Sequence, residues 1–273
     1  MKRKEELTFL IKELQKEMPE YASYAVPENE EQAFSLFRAL CNVRTPGEHQ
    51  PSDRFLKTEA DLLRSVTEEK GVTDVDDIPV SGADPRLAVW QGDITTLRAD
   101  AIVNACNSQL LGCFRPLHSC IDNMIHTMAG VELREACFEI MRRQGHEEPA
   151  GRAKITPGYN LPAGYVLHTV GPIVRGTVTR HDRELLASCY ISCLDLAASR
   201  NLENVVFCCI STGVFSFPQD KAAEIAVKTV EEWLDGHPGS CLKKVIFNVF
   251  KDSDLGIYQS LLESAGGRGY KKL

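Results

Sequence analysis

The sequence predicts an α/β protein: a mostly parallel sheet covered by helices on both faces, preceded by a helical N-terminal extension. Three observations predict it. Apolar, β-branched runs recur at Leu87–Trp90, Ala101–Val103, Tyr165–Val170, Val205–Ile210 and Val245–Phe250. Helical patterns lie between them, one carrying Leu186, Cys189, Tyr190, Cys193 and Ala197, another Ala222, Ile225, Ala226 and Trp233. Strand runs apolar on both faces and alternating with helices belong to parallel sheets packed between helical layers. Before about residue 80, by contrast, the apolar positions repeat only at helical spacing.

In chain order, Leu7, Leu10, Ile11 and Leu14 form one such stripe, and Phe34, Phe37 and Cys41 a second. Ser52 can cap a third helix carrying Phe55, Leu56, Leu62, Leu63 and Val66, with Gly71 to end it. Asp74-Val75-Asp76-Asp77-Ile78-Pro79 reads as a linker. The expected division is a helical extension over 1–80 and the α/β domain over 81–273. Packing against that domain is the expected role of the extension, and recognition of a partner the alternative.

Bulk properties exclude several classes. The longest uninterrupted apolar run, Val205 to Ile210, is far short of the roughly 20 residues that span a bilayer. Basic residues open the N-terminus with no apolar stretch behind them, which is not a secretory signal, so a cytoplasmic, membrane-free protein is expected. The net charge of −7, without a block of Lys or Arg, argues against a nucleic-acid partner. Ten cysteines in such a chain are expected to be reduced thiols.

Parallel sheets bind ligands beyond the carboxyl ends of their strands. After the first run stand Gly92, Asp93, Ile94 and Thr95; the Asp93 carboxylate can accept from a ligand amino group or simply close a turn. After the second run, Asn104 and Asn107 offer uncharged donors and acceptors suited to sugar hydroxyls, or tie down their own loop. After the fourth run, Ser211-Thr212-Gly213-Val214-Phe215 leads into a helix starting near Gln219. Small residues around a Gly before a helix N-terminus suit a diphosphate, with a tight strand-to-helix turn as the alternative.

Between these loops Cys113, His118 and Cys120 make the spacing C-x4-H-x-C. Thiolate and imidazole are favoured zinc ligands, and three of them leave a fourth tetrahedral position open. Asp122 is the only obvious local candidate for a fourth ligand, so an open, functional site is expected rather than a closed structural one. Three unrelated side chains in a cysteine-rich chain are the alternative.

Together these segments resemble the macrodomain family over roughly residues 86–265. Besides the loops above, Gly151 to Tyr159 and His168-Thr169-Val170-Gly171-Pro172 match, and the segments come in the family's order. The resemblance implies a three-layer α/β/α fold with a mixed, mostly parallel sheet. It implies that ADP-ribose is bound with adenine at Asp93 and Ile94, diphosphate at Ser211, Thr212, Gly213, Val214 and Phe215, and distal ribose at Asn104 and Asn107. Phe250, just past the last strand run, is a further expected contact for adenine. Hydrolytic macrodomains carry glycines where this chain has Gly112 to Asp122. That departure resembles the zinc-dependent microbial branch, whose members carry a helical N-terminal extension and remove mono-ADP-ribose from proteins. One zinc per chain is expected on Cys113, His118 and Cys120, with catalysis through Asn107 and Asp122. Members of the branch are often encoded beside a sirtuin-type ADP-ribosyltransferase and a lipoyl-carrier protein, which makes these the implied partners. A non-catalytic ADP-ribose reader with structural zinc, or a hydrolase of a free ADP-ribose derivative, are the competing expectations.

Overall fold

A computed structural model describes residues 2–265. Helix α1 (Lys2–Glu17) buries Leu7, Leu10, Ile11 and Leu14 completely. The side chain of Asn29 caps α2 (Glu30–Val43) by accepting from the Gln32 amide at 2.9 Å. Ser52 caps α3 (Asp53–Lys70) in the same way, and Gly71 ends it at φ +88°.

The chain then forms β1 (Thr73–Asp74), β2 (Leu87–Gln91), β3 (Leu97–Arg98) and β4 (Ala101–Cys106). Helices α4 (Ile121–Ala129) and α5 (Val131–Gln144) precede β5 (Ala153–Pro157) and β6 (Tyr165–Val170). The remainder alternates: α6 (Arg180–Ser199), β7 (Asn204–Phe207), α7 (Gln219–Gly236), β8 (Lys244–Val249) and α8 (Asp252–Ala265). The main sheet runs in the order β2-β8-β7-β4-β6-β5, parallel except for β5, and β1 pairs with β3 in a separate parallel ladder. Helices α6, α7 and α8 form one covering layer, and α4 and α5 belong to the other. The three-layer α/β/α fold with a mixed, mostly parallel sheet is therefore present.

Three details differ from the sequence reading. The fourth run, read as Val205–Ile210, is strand only to Phe207. Strand β4 pairs with β7 through only two residue pairs, Ala101 with Val205 and Ile102 with Val206, so the chains diverge where Cys208 to Ile210 begin. That divergence opens a crevice at the carboxyl ends, where parallel sheets hold ligands. Strand β5 has no counterpart among the apolar runs of the sequence; it is an antiparallel edge with little burial to mark it. The linker-like segment is fastened down: Val75 and Ile78 are buried, and the Lys244 ammonium donates to the Val75 and Ile78 carbonyls at 2.6 and 2.7 Å. One continuous apolar core joins α1, α2 and α3 to the sheet.

Candidate active site

A cleft of about 650 Å³ lies over the diverging strand ends, within the usual range for small-molecule sites. Its walls come from the segments after β4, β6, β7 and β8. The segment after β7 is a tight loop with a strained backbone. Ser211 and Ser216 both sit in the left-handed region, at φ +66° and +59°. The Phe217 amide donates to the Ser211 carbonyl and the Ser216 amide to the Gly213 carbonyl, each at 3.0 Å. The Ser211 hydroxyl is buried without a partner, and Gln219, which starts α7, also lines the cleft. Such strain and an unmet hydroxyl accumulate where a loop is shaped for a ligand. Gly171 supports it from below: a Cβ there would stand 2.0 Å from the Ser211 Oγ.

The opposite wall is the segment from Gly112 to Asp122. Gly112, at φ +77°, lies against the His126 ring, leaving no room for a side chain. The Cys113 Sγ stands 3.6 Å from the His118 Nδ1, and the ligand atoms of Cys113, His118 and Cys120 all lie within 4.8 Å of one another. A tetrahedral zinc with Zn–S of ~2.3 Å and Zn–N of ~2.05 Å requires an S···N edge of about 3.5 Å. The donor set therefore fits zinc in chemistry, and its Cys113–His118 edge fits in length. Burial pushes the Cys120 thiol up to about 12, with Cys113 adding to the rise, an environment in which a bound dication would stabilise the thiolate.

Asp122 stands in the first turn of α4, buried, and burial raises its carboxyl to about 6 against the opposing pull of Asn104 and Arg134. The Asn104 amide donates to its Oδ1 at 2.8 Å, and the His126 Nε2 lies 3.5 Å away. Asn104 itself is completely buried and does not line the cleft, so it reaches the site only through Asp122. Asn107 does line it, but its side chain is tied locally: Nδ2 donates to the Gly112 carbonyl at 3.1 Å and Oδ1 accepts from the Gln109 amide. Loop-tying is thus visible in the hydrogen bonds of Asn107, whereas the Asn104 side chain bonds a distant residue, Asp122, rather than its own loop.

The structure thus brings Asn107, Cys113, His118, Cys120, Asp122, Ser211, Thr212, Gly213, Val214, Phe215 and Phe250 to one cleft. Asp93 and Ile94 lie outside its lining. Ile94 is buried, and Asp93 pairs with Lys70 at 2.8 Å and accepts from the Thr95 amide and hydroxyl. Burial alone would raise the Asp93 carboxyl, but Lys70 and Thr95 hold it below its ordinary value. The tie to the cleft is one residue away, where the Asn248 amide donates to the Gly92 carbonyl.

Residues 103–226 match the family model described as Macro domain. A protein named "Protein-ADP-ribose hydrolase" from Treponema medium is 50% identical over 264 residues, covering 96% of this chain and 100% of the relative. This chain belongs to the macrodomain family. A Staphylococcus aureus protein of the same name is 50% identical, covering 94% of each chain. Among solved structures, an Oceanobacillus iheyensis macrodomain mutant with ADPR superposes with a TM-score of 0.61 at 37% identity, covering 67% of this chain and 94% of that one.

The sequence reading missed several residues of this macrodomain's site. Asn248 and Lys251 line the cleft from the end of β8, and Asp254 from α8. Beneath Asp122, His126, Cys137 and His168 form a second group of donor atoms, all buried. Burial holds His126 well below its ordinary value and His168 at about 3, so both imidazoles are neutral. The His168 Nε2 is paired with the Thr156 hydroxyl at 2.9 Å, which makes this group part of the core. His168 lies in a segment that matched the family pattern, but nothing local linked it to His126 and Cys137; the three come together only when α4, α5 and β6 pack.

Proposed function

We propose that this macrodomain is a zinc-dependent hydrolase that removes mono-ADP-ribose from modified protein side chains. The observation that carries the reading is the Cys113, His118 and Cys120 set, which shares one cleft with Asp122 and the Ser211–Phe215 cradle. The names of the Treponema medium and Staphylococcus aureus relatives support the same activity.

In this reading adenine lies towards Phe250, with Asp93 and Ile94 fixing the wall behind it. The diphosphate sits in the Ser211, Thr212, Gly213, Val214 and Phe215 loop, where backbone amides and the α7 N-terminus favour negative charge. The distal ribose then meets Asn107, Asp122 and the donor set. Zinc held by Cys113, His118 and Cys120 would supply a Lewis acid for a water or a ribose hydroxyl. Asp122, titrating at about 6, is deprotonated at neutral pH and accepts a proton there. Asn104 orients that carboxylate, and Asn107 keeps Gly112, and hence the start of the metal loop, in place.

The proposal extends to a lipoyl-carrier protein as the modified target, a sirtuin-type ADP-ribosyltransferase as the enzyme that writes the mark, and the cytoplasm as the setting. Metal analysis of the purified chain should find one zinc, lost in a Cys113→Ala/Cys120→Ala double variant. Single-turnover release of ADP-ribose from modified protein should accompany the metal. A metal-free chain that turns over at the full rate would defeat the zinc reading, and retention of ADP-ribosylated protein without release would make the chain a reader.

A further inference from the structure

The N-terminal helices reach the metal loop through three connections. The Asn42 side chain, in the last turn of α2, is 1% exposed, and its Oδ1 accepts the Leu117 amide at 3.0 Å. Leu117 precedes His118 and sits at φ +55°, a conformation that costs a leucine free energy and needs support from its surroundings. The second connection runs through Arg134. Its Nη1 donates to the Cys41, Asn42 and Arg44 carbonyls at 3.0, 2.7 and 3.1 Å, and its guanidinium lies 4.5 Å from the centre of the Phe114 ring. The third is Arg38, which donates to the Asn123 Oδ1 at 3.5 Å, while the Asn123 Nδ2 donates to the Cys113 and Arg115 carbonyls at 3.4 and 3.1 Å. All three start on α2 or its C-terminal end, and all end within two residues of Cys113, His118 or in the first turn of α4.

We propose that Asn42 is a positioning residue for the metal loop: by holding the Leu117 amide it keeps His118 turned towards Cys113 and Cys120. The inference rests on the reading of those three residues as metal ligands. It gives the N-terminal extension a defined part in the site, that of a preformed outer support. Groups that orient ligands from outside the coordination shell typically change metal affinity by ~10–100-fold when removed.

The test uses the full-length metal-free chain and Co²⁺ alone as a probe, read by its thiolate absorption and by chelator competition. Asn42→Ala should weaken Co²⁺ binding by ~10–100-fold. Asn42→Asp, which keeps the acceptor oxygen, should restore most of that loss. In an Asn42→Ala background, Leu117→Gly should recover affinity too, because glycine adopts positive φ at little cost. On modified protein, Asn42→Ala should lower kcat while leaving KM near that of the parent chain. Wild-type affinity in Asn42→Ala would overturn the proposal, as would a loss that neither Asn42→Asp nor Leu117→Gly repairs. Should Asn42→Ala fail to fold, hydrogen exchange on the unaltered metal-free chain decides: a protected Leu117 amide supports the proposal and an unprotected one overturns it. Absence of Co²⁺ binding by the unaltered chain would instead show that the ligand assignment itself is wrong, and this proposal with it.

Discussion

Asp122 is the side chain whose environment most directly sets the chemistry. Burial raises its carboxyl to about 6, and Asn104 fixes one oxygen at 2.8 Å. If Asp122 accepts a proton, the rate should climb as pH rises through about 6 and level off above it. Asp122→Asn should lower kcat by ~10²–10⁴-fold, the usual worth of a positioned general base, and remove that limb of the profile. A full-rate Asp122→Asn enzyme with the same pH limb would exclude this role. At this scale the sequence was partly legible. Cys113, His118 and Cys120 stand close in sequence, so their spacing alone pointed to a ligand set. Asn104 was legible only as a polar residue after a strand. Whether it faces a ligand or a neighbouring side chain depends on how α4 lies across β4, which no local pattern encodes.

Elements rather than single residues shape the 211–216 loop and the N-terminal seam. Gly171, after β6, allows the Ser211 hydroxyl to lie where a Cβ would be 2.0 Å away. Gly171→Ala should displace the 211–216 loop and raise KM for an ADP-ribose ligand by roughly tenfold, a shift of about 1.4 kcal/mol. On the other side, α3 inserts Glu59 at the start of α5, where both carboxylate oxygens accept from the Val131 amide at 3.3 and 3.2 Å. Burial raises this carboxyl to about 8. A carboxyl raised in the folded state contributes stability that is complete below its ordinary value of about 4.5 and lost as pH climbs to 8. Glu59→Gln should therefore flatten the pH dependence in that window. It should raise stability at pH 9 by on the order of a few kcal/mol, read from urea midpoints. The strands buried on both faces were legible because their composition is continuous. Edge strand β5 was not, because its half-buried residues carry no such run.

For the molecule as a whole, the helical segment and the sheet share one apolar core, with Leu10, Phe37 and Leu62 in the same cluster as Val103 and Val206. Removing residues 1–75 should thus expose a large apolar surface and abolish cooperative unfolding, rather than release an independent domain. A truncated chain with a sharp, reversible transition would contradict this. The change from helical to strand periodicity near residue 80 was visible in the sequence, but the seam between the two parts was not. Besides the shared core, it includes single long-range contacts such as Lys70 with Asp93 and Asn42 with Leu117, which no local pattern encodes. The central claim is that the Cys113, His118 and Cys120 set makes this cleft hydrolytic. Its most direct measurement is release of ADP-ribose from a mono-ADP-ribosylated protein by the full-length chain, before and after treatment with a chelator and again after zinc is restored. Release that stops with the chelator and returns with zinc is the predicted result; release unaffected by complete removal of the metal would contradict it.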